Sequence, residues 1–286
     1  MRVSESCAKC LFDRQKHLTT NSDYLEEISQ IIKNRDKDDT SPYLVYRFTQ
    51  VYETYFGRKA SYEDVKKKYN DLVLSMENHI RQRIERDDNP LAKALVYARA
   101  GNYIDFGAMN SVDETAFLAL LEETSWNEAE TEVFSSFVRQ CENAKQFLLI
   151  ADNCGEIVLD KLFLEQLHKR FPGMELSVLV RGEEVLNDAT AADAAYVGID
   201  KVAKVITNGL PIAGTIYDML PKEAKQAVDQ ADVILAKGQG NYESLNGQGR
   251  HIFFSFLCKC DLFTSRFSVP RLTGIFAEEM SEKLVL

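Results

Sequence analysis

Oxygen-bearing side chains follow an apolar segment in the stretch Ala151–Asp160, which reads ADNCGEIVLD. A short apolar run, Gln146–Ala151, leads into this stretch, and the residues after Gly155 have a helical pattern. A buried strand that ends at Asp152 and Asn153 and then turns into a helix places a carboxylate and an amide at its carboxyl end. Ligands bind at that edge of open parallel sheets, so this stretch is a candidate site.

Two further segments have the same arrangement. The apolar run Glu175–Val180 leads into RGEEVLND (Arg181–Asp188), and Asp232–Ala236 leads into KGQGN (Lys237–Asn241). The three strand ends together bring Asp, Asn, Asp and Lys to one rim. Oxygen ligands suit a hard divalent cation, and a lysine at a strand end suits phosphate. The pattern therefore predicts a metal-assisted phosphate site.

Each of these polar residues also has a simpler interpretation. Asp152 or Asn153 could cap the helix that follows, and Asp188 likewise precedes a helical segment. Arg181 could bind an anion or form a surface ion pair. The residue types alone leave both interpretations open.

Glycines occur in two of the candidate segments, KGQGN and AGNYIDFG. Those on either side of Gln239 permit a close backbone approach or a positive φ. The segment lacks the GxxxxGK[ST] spacing of a nucleotide P-loop, and no GxGxxG follows the first strand. Further upstream, AGNYIDFG places Asn102 and Asp105 in a glycine-bounded turn, where they either reach the site or close the turn.

Composition excludes several classes of protein. With 45% hydrophobic and 27% charged residues, the 286-residue chain is typical of soluble globular proteins. Its net charge of −10 argues against a broad nucleic-acid-binding surface. The sequence contains no apolar run long enough to span a bilayer, and its first residues lack the apolar core of a signal peptide. We expect a cytoplasmic protein with no nucleic-acid or membrane partner.

Six cysteines are too few for a disulfide framework in a chain of this length. Cys7 and Cys10 form a CxxC motif, and Cys258 and Cys260 form a CxC motif. Together they could supply four thiolates to a structural zinc or iron site. Because the two motifs lie far apart in the chain, we favour the simpler interpretation of small buried residues.

The chain divides into two regions by pattern. Residues 1–145 have the three- and four-residue apolar spacing of helices, and residues 146–286 alternate short apolar strands with helices. The predicted strands are Gln146–Ala151, Glu175–Val180, Lys204–Thr207, Asp232–Ala236 and His251–Leu257. This predicts an α/β fold, in which a helical N-terminal region lies on a doubly wound, mainly parallel, three-layer α/β/α domain of Rossmann-like type.

The motifs ADNCGE, RGxxxLND and KGQGN, in that order after AGNYIDFG, resemble the damage-control phosphatase family, formerly domain of unknown function 89. The early CAKC is similar to that family's prokaryote-type subgroup with an N-terminal CxxC. The resemblance covers essentially the whole chain. It implies a metal-dependent phosphatase that hydrolyses small phosphorylated metabolites, either sugar phosphates or damaged phosphometabolites.

The resemblance also implies roles for individual residues. A single divalent cation (Mn²⁺, Co²⁺, Ni²⁺ or Mg²⁺) would be held by Asp152, Asn153 and Asp188. The implied catalytic residues are Asp152, Asn153 and Lys237, and the implied substrate-binding residues are Arg181, Lys237, Asn241, Asn102 and Asp105. Because residue 154 is Cys, the DxD spacing of haloacid dehalogenases is missing. This favours Asp152 as a ligand, with water attacking directly, over a phospho-enzyme.

Two other functions remain open from the sequence. The same cation site would serve a non-catalytic sensor of metals and phosphorylated metabolites. The Rossmann-like sheet is also compatible with a carboxyl methyltransferase, although no adenosylmethionine-binding glycine loop is recognisable. The sequence indicates neither the physiological substrate nor the oligomeric state.

Overall fold

A computed structural model gives the fold and describes residues 1–58, 60–104, 114–123, 125–280 and 283–285. Before the sheet, the described helices are α1 (Glu5–Leu18), α2 (Ser22–Lys33), α3 (Ser41–Phe56), α4 (Glu63–Glu85), α5 (Pro90–Gly101), α6 (Glu114–Glu123) and α7 (Glu128–Cys141). The strands are β1 (Gln146–Ile150), β2 (Glu175–Val180), β3 (Lys204–Thr207), β4 (Val233–Lys237), β5 (Ile252–Leu257), β6 (Gly274–Met280) and β7 (Lys283–Val285). The helices between them are α8 (Glu156–Arg170), α9 (Ala191–Val197), α10 (Lys222–Gln230), α11 (Gln239–Leu245) and α12 (Asp261–Phe267).

The strands form one sheet in the order β3-β2-β1-β4-β5-β6-β7. Strands β1 to β5 are parallel, and β6 and β7 are antiparallel to their neighbours. All five predicted strands form, with ends shifted by at most one residue, whereas β6 and β7 were not predicted. The chain order reverses beside β1, which lies between β2 and β4. Ligands bind at such a switch point in open α/β sheets.

Helices cover both faces of the sheet, so the predicted doubly wound α/β/α fold is confirmed. On one face, buried apolar residues of α4 to α9 pack against the strands. On the other face, those of α10, α11 and α12 do so. The strands are therefore buried on both faces, and this explains their nearly continuous apolar sequences.

The N-terminal helices do not all belong to one core. Buried residues of α1, α2 and α3 form a small cluster of their own, which includes Tyr24 and Phe48. Helices α4 to α7 share a core with the sheet, as Phe137 of α7 shows by contacting Phe147 and Phe253. The division into 1–145 and 146–286 therefore marks the start of the sheet, and it remains a prediction as a domain boundary.

None of the helices in the described part of the chain has both the length and the apolar character needed to cross a membrane.

Candidate metal and phosphate site

Backbone pairing brings the two predicted acidic positions together. Asp152 and Asn153 follow β1, and Asn153 forms an isolated antiparallel bridge with Asp188, which lies beyond β2. The backbone N–H of Ala189 donates to the carbonyl of Asp152 at 2.7 Å, and that of Cys154 donates to the residue before Asp188 at 2.8 Å. The loop after β2 thus folds back onto the end of β1 at the carboxyl edge of the sheet.

A single guanidinium joins the two carboxylates. Arg181, the residue after β2, is 1% exposed, and its Nε donates to Oδ2 of Asp188 at 2.6 Å. Its Nη2 lies 3.4 Å from Oδ1 of Asp152. Its Nη1 donates to the carbonyl of Gly214 at 3.0 Å and to Oδ1 of Asn241 at 3.2 Å. Arg181 is therefore not a surface ion pair, and both acids lie within reach of one cationic group.

Two amides link Asp152 to helix α8. The Nδ2 groups of Asn102 and Asn153 donate to Oδ2 of Asp152 at 2.9 and 2.8 Å, and to Oε2 of Glu156 at 3.0 and 2.9 Å. Oδ1 of Asn153 accepts from Nδ2 of Asn187 at 3.1 Å. Asn102 therefore reaches the site from the end of α5, which was one of the two possibilities open from the sequence.

Helix capping does not account for the predicted ligands. Helix α8 begins after Gly155, whose φ is 73°, and it has no side-chain cap. Helix α9 is capped by Thr190 and Asp193 in a reciprocal capping box. Instead, Asn153 donates to Asp152, and both Asp152 and Asp188 accept from Arg181.

Lys237 was predicted to contact phosphate at the end of β4, but its side chain lies in the interior. Its side chain is fully buried, and its Nζ donates to the carbonyl of Ala98 at 2.9 Å, to Oε1 of Glu156 at 2.7 Å and to Oδ1 of Asp160 at 2.6 Å. An ammonium group has three N–H donors, and these three acceptors match them. The direct contact of Lys237 with phosphate remains a prediction, and this placement does not favour it.

The buried charges near Lys237 influence one another. Burial lowers the pKa of Lys237, but the negative charges of Asp160 and Glu156 outweigh it, so the pKa is raised overall. Burial raises the pKa of Asp160 to about 7, opposed by Lys237 and reinforced by Glu156. The Asp160 carboxyl group therefore titrates near neutral pH.

Glycine at position 238 allows β4 to approach Asp152. Gly238 has a φ of 79°, and a Cβ atom built on it would lie 1.9 Å from Oδ2 of Asp152. The close approach and positive φ expected for this glycine are therefore confirmed. Nearby, Nδ2 of Asn241 donates to the carbonyl of Ala151 at 3.1 Å and to that of Lys237 at 2.7 Å. Asn241 thus ties the ends of β1 and β4 together.

Three charged residues at or behind the site were missed by the sequence analysis. Glu156 and Asp160 were interpreted only as part of a helix, although their spacing of four residues places both on one face. Lys259, which follows β5, was not singled out; it is 3% exposed, and its backbone N–H donates to Oε1 of Gln239 at 2.5 Å. Asp105, by contrast, lies outside the described residues.

The predicted ligands are two carboxylates and one carboxamide oxygen, and this donor set fits a hard divalent cation such as Mg²⁺ or Mn²⁺. Within the described ranges, no three His, Cys, Asp or Glu side chains are grouped as a metal site. That finding also gives no support to a four-cysteine site. All six cysteines are free thiols; Cys258 is buried and Cys10 is exposed.

A cavity of about 480 Å³ opens beside the loop that carries Asp188. Its walls include residues 183–186, Leu210 and Pro211 from the sheet side, and Tyr46, Gln50 and Arg58 from the helical side. The backbone N–H of Asp188 donates to the carbonyl of Val185 in this wall at 3.1 Å. A larger cavity of about 910 Å³ is lined by residues 36–40 and 216–219, which belong to other segments.

Comparison with known proteins covers nearly the whole chain. Residues 3–272 match the family model described as the damage-control phosphatase ARMT1-like domain. A damage-control phosphatase from Archaeoglobus fulgidus is 29% identical over 303 aligned positions, covering 100% of both chains. An uncharacterized protein from Methanocaldococcus jannaschii is 34% identical over 70% of this chain and 67% of its own length.

A solved structure supports the fold independently. The crystal structure of a DUF89 family protein from Pyrococcus horikoshii has a TM-score of 0.77 and 22% sequence identity, covering 99% of this chain and 100% of that one. These comparisons do not address the subgroup with the N-terminal CxxC, which remains a prediction. The match over residues 3–272 is decisive for the family itself. The chain belongs to the damage-control phosphatase ARMT1-like domain family.

Proposed function

We propose that this protein is a metal-dependent phosphatase that hydrolyses small phosphorylated metabolites with a single divalent cation. The main support is the convergence of Asp152 and Asp188, from two neighbouring strand ends, on the guanidinium of Arg181. The relatives from Archaeoglobus fulgidus and Pyrococcus horikoshii that are named damage-control phosphatases also favour this chemistry. Asp152, Asn153 and Asp188 would hold the cation. When bound, it would act as a Lewis acid toward a phosphate oxygen and offset charge that develops during transfer.

Arg181 is proposed to bind the phosphoryl group. Its guanidinium presents several donors in a fixed plane, a geometry that suits phosphate oxygens. Because it also bonds both acids, it would keep their carboxylates from separating before substrate arrives. Asn102 would hold Asp152 from the opposite side, through its contact with Oδ2.

Lys259 is proposed as a second cationic contact to phosphate, in place of Lys237. It follows β5 at the carboxyl edge, and its backbone bonds the side chain of Gln239, the residue after Gly238. Lys237 is engaged with three acceptors behind the site. We expect Lys259→Ala to weaken binding of inorganic phosphate more than Lys237→Ala does. A larger loss in Lys237→Ala would favour the predicted contact of Lys237 with phosphate.

The rest of the substrate is proposed to occupy the cavity of about 480 Å³ beside residues 183–186. This volume lies within the range of sites for small molecules. Its lining combines apolar residues such as Val45 and Leu210 with polar Gln50 and charged Arg58, which suits a metabolite with both a carbon skeleton and hydroxyl groups.

Attack by water is proposed, with no intermediate on sulfur. Burial raises the pKa of the Cys154 thiol, and the negative charge of Asp193 adds to this effect. A thiol that resists ionisation is a poor nucleophile. The assignment of Asp152 as a ligand rests on the missing DxD spacing, since residue 154 is Cys.

Phosphate release from a panel of sugar phosphates, with Mn²⁺, Co²⁺, Ni²⁺ or Mg²⁺, tests the proposal. We expect release to depend on added metal, to stop with EDTA and to be abolished by Asp152→Ala. Asp160→Asn is the matched control, since it alters a buried acid that does not bond Asp152 in the described contacts. Tight binding of the panel without turnover would instead support the sensor, and methyl transfer without phosphate release would support the methyltransferase.

A further inference from the structure

An asparagine amide has two ends of opposite hydrogen-bonding character, and only its carbonyl oxygen can bind a hard cation. Rotating the amide by 180° exchanges the two ends with almost no change in shape, so the partners decide the orientation. A cation site that includes Asn153 therefore needs neighbours that specify which end faces the cation.

Glu156 is one of those neighbours. Its Oε2 accepts from Nδ2 of Asn153 at 2.9 Å, and more weakly from that residue's backbone N–H at 3.4 Å. At the other end, Oδ1 of Asn153 accepts from the amide of Asn187 at 3.1 Å. A carboxylate can only accept, and the Asn187 group donates, so both contacts require the same orientation. Oδ1 therefore points away from α8 and toward the segment that carries Asp188.

Glu156 is in turn held from behind. Its Oε1 accepts from Nζ of Lys237 at 2.7 Å, and both side chains are fully buried. Lys237 is the last residue of β4, and Glu156 is the first of α8. The ion pair thus fixes the start of the helix against the strand end next to the site.

We infer that Glu156 is a positioning residue. Its carboxylate, held by Lys237, turns Oδ1 of Asn153 toward the proposed cation and holds the amide of Asn102 against Asp152. This inference rests on the proposed function and deepens it. It also gives Lys237 a role that acts through Glu156 and not through the phosphate of the substrate.

The test is the affinity of the full chain for Mn²⁺ alone, measured by the electron paramagnetic resonance signal of the free ion. In Glu156→Gln the new NH₂ group must face either the amide donors of Asn153 and Asn102 or the ammonium of Lys237. We expect Mn²⁺ to bind about 10- to 100-fold more weakly, the usual effect of removing such a supporting contact.

Asp160→Asn provides the matched control. Asp160 is also fully buried and also accepts from Lys237, at 2.6 Å, but its described contacts include neither Asn153 nor Asn102. A merely structural role for Glu156 predicts that both variants lower the metal-free melting temperature and Mn²⁺ affinity together. The inference predicts that Glu156→Gln weakens Mn²⁺ binding at least tenfold more than Asp160→Asn does. Equal losses would overturn it.

A double variant keeps the test decisive if Glu156→Gln alone does not fold. Asn153→Asp places a carboxylate beside Glu156, whereas Asn153→Asp combined with Glu156→Gln lets the new amide donate to the new acid. We expect the double variant to bind Mn²⁺ more tightly than Asn153→Asp alone. Weaker or equal binding by the double variant would overturn the inference.

Phosphate release measured on the same samples separates the two proposals. If wild-type protein releases phosphate but Glu156→Gln and Asp160→Asn behave alike toward Mn²⁺, the inference alone fails. If the loss of Mn²⁺ affinity is specific to Glu156→Gln but no substrate is turned over, the phosphatase function alone fails.

Discussion

Two clusters in this protein are built from the same parts, one cationic side chain between two acids, but in different surroundings. Around Arg181, Asp152 and Asp188 come from separate loops at the sheet edge and are 8% and 4% exposed. Around Lys237, both acids lie on one helix, and all three side chains are completely enclosed.

The surroundings of the two clusters indicate that they have different roles. Loops after strands can rearrange around a ligand, whereas acids four residues apart on a helix are fixed by the helix itself. Arg181 therefore sits where a metal and phosphate are proposed to bind. Lys237 sits where movement would disturb the packing of α8 on β4. The cluster around Arg181 is thus the candidate site, and the cluster around Lys237 supports it from behind.

The largest expected effect comes from removing the cation of each cluster. Lys237→Met leaves two acids enclosed without a counter-charge, so we expect a loss of about 3–5 kcal/mol in the free energy of unfolding. Arg181→Met should cost a similar amount without metal. Adding Mn²⁺ should stabilise Arg181→Met more than Lys237→Met, because only in Arg181→Met does the ion also replace the missing charge between Asp152 and Asp188. Urea unfolding with and without Mn²⁺ measures this, and equal gains in both variants would erase the distinction between the clusters.

Next in size is the effect of Asp188→Asn on catalysis. Replacing one of the two proposed carboxylate ligands should lower kcat/KM for phosphate release by about 100-fold, equivalent to about 2.7 kcal/mol. Asp160→Asn, the same change in the enclosed cluster, should lower it less than tenfold. Steady-state kinetics at saturating metal compare the two, and similar losses would contradict the separation of roles.

A smaller effect is expected at the glycine that backs the site. Gly238→Ala and Gly247→Ala both place a side chain at positive φ, 79° and 84°, which costs on the order of 1–3 kcal/mol in each case. Only at position 238 does the new Cβ meet Asp152; nothing lies within 4 Å of it at position 247. We expect both to lower the melting temperature, but Gly238→Ala alone to weaken Mn²⁺ binding. Unchanged Mn²⁺ affinity in Gly238→Ala would show that Asp152 does not depend on this close approach.

A pH dependence of stability is also expected, and it belongs to the enclosed cluster. The pKa of Asp160 is raised from its ordinary 3.8 to about 7 in the folded protein. The folded state therefore holds this proton more tightly than the unfolded state does. Its contribution to stability is largest below about pH 4, declines as the pH rises to about 7 and is constant above that.

Asp160→Asn, which resembles the protonated acid, should lack this dependence. The free energy of unfolding of the wild type, relative to the variant, should fall between pH 4 and pH 7 and then level off. Urea titrations at half-unit pH steps would show it. A parallel pair of curves would mean that Asp160 is ionised throughout.

Much of the fold and of the candidate ligands could be predicted because both depend on patterns within short stretches of the sequence. Short apolar strands alternate with helices, and Asp152 and Asn153 stand at the first strand's end, where a parallel sheet exposes side chains. The strands β6 and β7 were missed because they follow the parallel part and add to its edge with the opposite direction.

The enclosed cluster could not be predicted in the same way. Two acids four residues apart on a helix are usually solvated, and the nearest lysine in the sequence, Lys161, pairs with Glu77 instead. Lys237 lies 77 residues from Asp160 and 81 from Glu156 in the sequence, so the pairing is a property of the tertiary fold. A lysine that ends an apolar strand was therefore assigned to the nearest plausible partner, a phosphate.

Asn102 has a consequence for any attempt to redesign this protein. Its Oδ1 accepts from the backbone N–H of Leu257 in β5 at 3.1 Å, while its Nδ2 bonds Asp152 after β1, with β4 lying between those two strands. One side chain at the end of α5 thus spans three strands. Repacking the interior face of α5 would therefore shift Asp152, a proposed ligand of the cation, so the helical layer and the sheet should be engineered together.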